Sequence, residues 1–230
     1  IQEKINGFRL IVYLYPDGTT QFFTRNGVEL FDFPQLEKVF AEDVVRPFGV
    51  MVYDGEAQCE LSFNETQKFM MRHGPKYNVV YNVFDCLTLD EWEHGKSEDE
   101  LFYRYDFCKT TLPSNHLYLK LVPELYRGSE IKMVTTWFNY AKSQGWEGIM
   151  VKINLPYLRE RTWRMLKVKE MKEIDLLCTR VNIGKPLGRF EHTLGSITVN
   201  YNGVEVDVGG GFSDADRDLY WNDQNLIIGK

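Results

Sequence analysis

The sequence predicts an α+β fold built on antiparallel sheets, followed by a smaller β-barrel-like domain. Three observations carry this expectation. Strand-like and helix-like segments alternate without the regular rhythm of a parallel βαβ sheet. After about residue 172 the texture changes to short strands alone. Within that second part, Asn202-Gly203 sits between two strand-like runs and is the strongest hairpin signal in the chain. The expected division is therefore residues 1–172 and 173–230.

Taken in order, Phe8–Tyr15 is β-branched and aromatic, Pro16-Asp17-Gly18 is a turn, and Gln21–Thr24 returns as a second strand. Leu36, Val39 and Phe40 mark a short helical face. Phe48–Tyr53 reads as a strand ending in Asp54-Gly55-Glu56. Ser62 followed by Glu65 is a capping box opening a helix to about Arg72. Tyr77–Asp85 is a strand, the Ser97/Glu100 pair predicts another helix start, and Leu117–Val122 is strand-like. Ile131, Val134, Phe138 and Ala141 recur at helical spacing, with Gly145 as a stop. Trp146–Lys152 and Trp163–Lys169 read as strands, and so do Ile174–Asn182, Leu194–Tyr201 and Val204–Val208. The last residues, Asn225–Lys230, also read as a strand, broken off before a barrel could close.

No apolar run approaches the roughly 20 residues of a membrane-spanning helix. The four cysteines (Cys59, Cys86, Cys108, Cys178) form no CxxC pair, so neither a disulfide framework nor a zinc site is expected, and a reducing, cytoplasmic setting fits. The start lacks both an initiator Met and a signal-peptide core, which suggests a piece of a longer polypeptide. The net charge of −6 argues against a nucleic-acid partner, but its distribution is uneven. Nine basic residues face four acidic ones between Arg159 and Arg189. Such a run is compatible with a basic strip and equally with a solvated face.

Several short segments carry chemistry. Lys4-Ile5-Asn6-Gly7 places a lysine before a bend that feeds a strand. A lysine attacks only as the neutral amine, and with an ordinary pKa near 10.4 only about one in a thousand is neutral at pH 7.4. A nucleophilic lysine therefore needs burial or nearby positive charge. Alone, the segment reads equally as a surface lysine beside a turn. Arg25, in Thr24-Arg25-Asn26-Gly27, suits bidentate contact with a phosphate. Phe84 could stack on a base or fill the core. Glu147 and Lys152 stand at opposite ends of one short strand. Lys167 and Lys169 share a strand face, where two like charges are costly unless an anion lies between them.

In this order and spacing, Lys4-Ile-Asn-Gly, Thr-Arg25-Asn-Gly, Asp-Gly-Glu56, Val-Phe84-Asp, Glu147-Gly-Ile-Met-Val-Lys152 and Leu-Lys167-Val-Lys169 resemble the motifs of ATP-dependent DNA ligases, particularly the compact bacteriophage kind. The tail, with Gly195-Ser-Ile-Thr-Val and Gly209-Gly-Gly-Phe-Ser, is similar to the ligase OB-fold barrel without its C-terminal part. The resemblance implies a nucleotidyltransferase (adenylation) domain over 1–172 and an incomplete OB-fold over 173–230. It further implies ATP and Mg²⁺ as cofactors, a nicked DNA duplex as partner, and a monomer. Lys4 would take up AMP, pass it to a 5′-phosphate, and a 3′-hydroxyl would then seal the nick. Phe84 would stack on adenine with Gln2 near its edge, and Glu56 would contact the ribose or a metal. Glu147 would hold Mg²⁺. Lys167 and Lys169 would grip the α-phosphate, Arg25 would bind the 5′-phosphate with Arg9 beside it, and Lys152 would assist.

Two departures stand out. Asn6 occupies the place of the family's usual Asp, and the basic segment that closes the family's barrel is absent. Within the superfamily, an RNA ligase or a capping guanylyltransferase shares the lysine, the glutamates and the lysine pair. A nick- or nucleotide-binding module without chemistry is the alternative of a different class.

Overall fold

The computed structural model describes residues 1–160, 162–171 and 173–230. In chain order the first elements are β1 (Gln2–Glu3), β2 (Phe8–Leu14), β3 (Thr20–Thr24), β4 (Glu29–Leu30), α1 (Pro34–Glu42), β5 (Met51–Gln58) and α2 (Phe63–Met71). Next come β6 (Val80–Thr88), α3 (Leu89–His94), β7 (Lys96–Glu100), α4 (Leu101–Thr111), β8 (Leu119–Leu121) and α5 (Lys132–Ser143). Then follow β9 (Gly148–Lys152), β10 (Pro156–Leu158), β11 (Met165–Lys169), β12 (Cys178–Ile183), β13 (Leu194–Tyr201), β14 (Val204–Val208) and α6 (Asp214–Asn222). The described residues divide into two compact units, Ile1–Glu170 and Met171–Lys230. Lys172, at the boundary expected from sequence, and Arg161, in the basic run, lie outside the described residues.

The first unit is organised by a six-stranded sheet in the order β4-β3-β2-β5-β6-β8. Alternation along β2 sends Phe8, Leu10, Val12 and Leu14 to one face, where they pack with Leu36, Val39 and Phe40 of α1 and Met70 of α2. The buried Tyr81 hydroxyl donates to the carbonyls of Leu10 and Tyr53, so the core carries its polar atom satisfied. The opposite face of β2 and β5 carries Arg9, Ile11, Asp54 and Glu56, with Arg9 paired to Glu56 and Ile11 to Asp54 in register. A second, three-stranded sheet, β1-β9-β11, contributes the other half of the site. Its register sets Gln2 against Met150 and Met150 against Lys167, and sets Gly148 against Lys169. The period of two then places Gln2, Lys4, Met150, Lys152, Lys167 and Lys169 on one face. A small β7–β10 pair completes this unit.

The second unit is the antiparallel sheet β12-β13-β14 with α6 and a 3-10 turn at Gln224–Leu226. Asn202 and Gly203 have φ of 52° and 84°, the left-handed pair that a two-residue hairpin needs. Among the described residues, no helix is long and apolar enough to cross a membrane.

The α+β reading holds, with four local corrections. Ser97 does not cap a helix: Lys96–Glu100 is a strand, and the Ser97 hydroxyl donates to Glu91, itself in the capping box of α3. The helix starts one residue past Glu100, and the Thr88/Glu91 box was the stronger signal. Asp54-Gly55-Glu56 does not end its strand but lies inside β5, because β6 continues the pairing as far as Gln58. The β6–β8 pair is parallel, so the main sheet is mixed. Asn225–Lys230 is a turn with a single bridge from Ile228 to Cys178, and α6 precedes it behind a Ser213/Asp216 capping box.

One glycine controls the small sheet. Gly148 has φ 154°, and a Cβ there would lie 2.2 Å from the Val168 carbonyl oxygen on β11. Gly148→Ala is expected to cost about 1–3 kcal/mol by overpacking, read as a thermal midpoint several degrees lower. A melt indistinguishable from the native one would show that β11 yields freely.

Candidate active site

The two sheets meet where the chain passes from β1 to β2. Lys4 extends the β1–β9 ladder through its amide, which donates to the Gly148 carbonyl at 3.0 Å. Its ammonium pairs with the carboxylate of Glu147, and Lys169 stands 3.9 Å from the other oxygen of the same carboxylate. The pair is half-sheltered, at 15% and 27% side-chain exposure, so it is reachable by a ligand yet poorly hydrated. Gly7 then permits the crossing: a Cβ on it would sit 2.4 Å from the Ala57 carbonyl oxygen and 2.9 Å from Cγ of Glu56. Asn6 itself is exposed, and its carbonyl accepts from the Gln58 amide.

Gln2 is 5% exposed, and its Nε2 donates to the Val122 carbonyl at 3.1 Å. The Tyr105 hydroxyl donates to that same carbonyl. Because Val122 presents an acceptor, the NH₂ side of the amide must face it, and Oε1 is turned the other way. That oxygen is buried without a partner among the described residues. A buried unpaired acceptor costs about 1–3 kcal/mol, and Trp137 Nε1 and Arg217 Nε are likewise buried without a partner among the described residues.

Across the gap, Arg9 grips Asp54 through Nε at 2.6 Å and through Nη2. Arg104 of α4 grips Asp85 through Nε and Nη2 at 2.7 and 2.9 Å. The β5–β6 register slips by one residue here: Asp54 faces Asp85 but Gly55 faces Val83, leaving Phe84 without a cross-strand partner. This bulge turns Phe84 toward the small sheet. Its ring carries the Lys152 ammonium at 4.8 Å and the Arg9 guanidinium at 5.3 Å. Lys152 also donates to the Phe84 carbonyl at 3.4 Å.

Burial pushes the Glu56 carboxyl up to about 7; Arg9 and Lys4 oppose the rise, while Asp54 and Glu147 add to it. Burial likewise pulls the Lys152 ammonium down to about 8 against the pull of Asp85 and Asp54. Glu56 and Glu147 thus feel each other across the gap. Two carboxylates facing one space form a partial donor set that would suit Mg²⁺. No cluster of three acidic, His or Cys ligands exists among the described residues.

The structure therefore gathers Gln2, Lys4, Arg9, Glu56, Phe84, Glu147 and Lys152 at one junction, with Lys167 and Lys169 exposed at its margin on β11. Arg25 stays outside the cluster. It is exposed on the turn whose Thr24 hydroxyl accepts from the amides of Asn26 and Val28, and among the described residues it makes no hydrogen bond or ion pair. Sequence reading missed Arg104. An arginine at a buried position of α4, beside Tyr105 and Cys108, was the available signal.

The site thus pairs a half-sheltered lysine with a glutamate, beside a strand that bears two further lysines. The chain belongs to the ATP dependent DNA ligase domain family, whose profile matches residues 1–169. Among solved structures it is similar to Pmar-Lig_PreS3, with a TM-score of 0.81 and 24% identity over 100% of this chain and 56% of that one. It is also similar to the ATP-dependent DNA ligase of bacteriophage T7 in complex with ATP, with a TM-score of 0.61 and 16% identity over 95% and 76% of the two chains. The Chlorella virus DNA ligase-adenylate gives a TM-score of 0.54 and 21% identity over 100% and 82%. The chain thus spans little more than half the length of Pmar-Lig_PreS3. No curated protein matches it in sequence.

Glu56 yields a pH prediction. Its folded-state pKa lies above the unfolded value, so the folded protein keeps a proton that the unfolded chain loses, and stability falls as pH rises from about 4.5 to about 7. Glu56→Gln should accordingly melt a few degrees above the native protein at pH 8 and show little advantage at pH 5. Equal shifts at both pH values would refute the raised pKa.

Proposed function

We infer that this chain carries the nucleotide-transfer chemistry of an ATP-dependent DNA ligase, with Lys4 as nucleophile. The observation that carries the reading is the half-sheltered Lys4–Glu147 pair shared with Lys169, on the sheet face that also bears Gln2, whose Oε1 lacks a partner among the described residues. Adenine offers its 6-amino group to such an acceptor, whereas guanine offers an oxygen that would be repelled. The orientation of Gln2 thus supports ATP over GTP.

In the first step the neutral amine of Lys4 forms a bond to the α-phosphorus. The bond from that phosphorus to the bridging oxygen breaks, pyrophosphate leaves with the electron pair, and the nitrogen gives up one proton. Phe84 supports the base, and Lys167 and Lys169 stabilise the added negative charge as phosphorus becomes five-coordinate. Glu147 and Glu56 would hold Mg²⁺, which supplies charge neutralisation for the phosphates. In the second step a 5′-phosphate oxygen of a nicked duplex attacks the AMP phosphorus, and Lys4 departs as the amine with a proton. In the third, the 3′-hydroxyl attacks the 5′-phosphorus, AMP leaves and the nick is closed. Arg25, exposed and unpaired among the described residues, is the group assigned to the incoming 5′-phosphate, with Lys152 assisting inside the gap. The fold of residues 173–230 is assigned to an OB-type barrel that shares the DNA contact. The active species is taken as a monomer in a reducing, cytoplasmic setting.

Incubation with α-labelled ATP and Mg²⁺ should leave label on the native chain through denaturing electrophoresis, and none on Lys4→Ala. A labelled Lys4→Ala protein would remove Lys4 from the nucleophile's place. Gln2→Ala should lower labelling by ATP roughly ten- to a hundredfold, in line with about 1–3 kcal/mol for a lost buried hydrogen bond. It should also narrow the preference for ATP over GTP; an unchanged preference would show that Gln2 does not read the base.

A further inference from the structure

Five charged side chains lie between the two sheets behind Phe84, and their pairing is unequal. Asp54 and Asp85 face one another across β5 and β6 and are nearly inaccessible. Each is claimed by one arginine through two hydrogen bonds: Asp54 by Arg9 of β2, and Asp85 by Arg104 of α4. The fifth group, Lys152, reaches a backbone carbonyl and an aromatic face but forms no ion pair among the described residues. Buried charges are ordinarily paired. Here a cation is held back.

The reason lies in α4. Arg104 is 5% exposed, donates also to the Asp99 carbonyl, and packs against the Tyr157 ring at 5.6 Å. Its guanidinium is therefore fixed from three sides, and its fork occupies both oxygens of Asp85. Of the groups that act on Lys152, Asp85 and Asp54 draw it toward the charged form, while Arg104 and Arg9 oppose them. Of these two carboxylates, Asp85 has the larger effect on Lys152. Without Arg104, Asp85 would be a buried carboxylate lacking its partner, with the Lys152 ammonium, already bonded to the neighbouring Phe84 carbonyl, as a replacement.

We propose that Arg104 is a positioning residue of the nucleotide site: by occupying Asp85 it keeps the Lys152 ammonium free to meet a phosphate of the bound nucleotide. The proposal rests on the nucleotidyl-transfer reading above for the identity of the anion, but the division of charge is a property of the ligand-free protein. Arg104 touches no substrate; it acts through Asp85 and Lys152.

The test follows the Lys152 side chain directly, by the pH titration of its ¹³Cε resonance in protein labelled with ¹³C-lysine and assigned with Lys152→Arg. Arg104→Met should raise the Lys152 midpoint by a unit or more, a tenfold gain in proton affinity. The double variant R104M/D85N removes both charges of the buried pair and should return the midpoint to within a few tenths of the native one. An unmoved midpoint in R104M, or one still displaced in the double variant, overturns the proposal. If R104M alone does not fold, the double variant decides, since a native-like midpoint supports the assignment and a shifted one overturns it. In the native protein, AMP should raise the midpoint and adenosine should not; equal responses would show that Lys152 meets no phosphate. Failure of ATP to label the native chain would instead fall on the proposed function, leaving the ligand-free titrations to judge the charge division.

Discussion

The site depends on one close approach, the passage of the chain from the small sheet to the large one in the four residues between Glu3 and Phe8. At Gly7 the backbone runs against the Ala57 carbonyl and the Glu56 side chain, a distance that no Cβ could share. Lys4 is thereby fixed to the small sheet by a backbone hydrogen bond, while Arg9, five residues on, is fixed to the large sheet beside Glu56. The facing surfaces of the two sheets then become the walls of one gap. Sheet register does the rest, because a one-residue slip would turn Gln2 and Lys4 away together.

That arrangement explains why charges otherwise costly to bury are found here. The main-sheet wall contributes the acids Asp54, Glu56 and Asp85, and the small-sheet wall contributes Lys4, Lys152, Lys167 and Lys169. Arginines from β2 and α4 satisfy two of the acids completely. What remains is a carboxyl at Glu56 that burial keeps partly protonated near neutrality and an ammonium at Lys152 held down by the same cause. Under the proposed function, a triphosphate and its counter-cation would change the surroundings of both groups. Fully compensating every charge would make a more stable junction and a poorer receptor, the usual conflict between stability and a site that must accept a ligand.

Much of this was legible in the sequence because strand periodicity is strict. The shared face of Lys167 and Lys169, the core face of β2 and the Asn202-Gly203 hairpin follow from a period of two and from turn chemistry. The expectations that failed turn on contacts that local sequence does not specify, such as the extension of β5 past Asp54 by pairing with β6. Ser97/Glu100 has the spacing of a capping box, but Lys96–Glu100 extends to pair with β10, and the next helix begins only at Leu101. The bulge at Phe84 could not be read, since it arises from pairing between strands well separated in sequence. Arg104 gave only a faint signal for the same reason: its partner Asp85 is fixed by tertiary contact, and a helical arginine normally faces water.

Asn6 takes on a different meaning once the geometry is in view. A carboxylate at that position would stand on an exposed bend, whereas the group actually paired with Lys4 is Glu147, at the entrance of β9. Among the described residues, Glu147 is the one carboxylate within ion-pair distance of Lys4, and it is shared with Lys169. An ammonium attacks phosphorus only after losing its proton, so under the proposed function the Lys4–Glu147 pair would have to open before Lys4 could act. Drawing Glu147 toward Lys169, or toward a cation it shares with Glu56, would release Lys4 without moving the backbone that positions it. With an amide at position 6, no second acid on the bend pairs with Lys4 among the described residues, so under that reading Glu147 would be the carboxylate that governs its release.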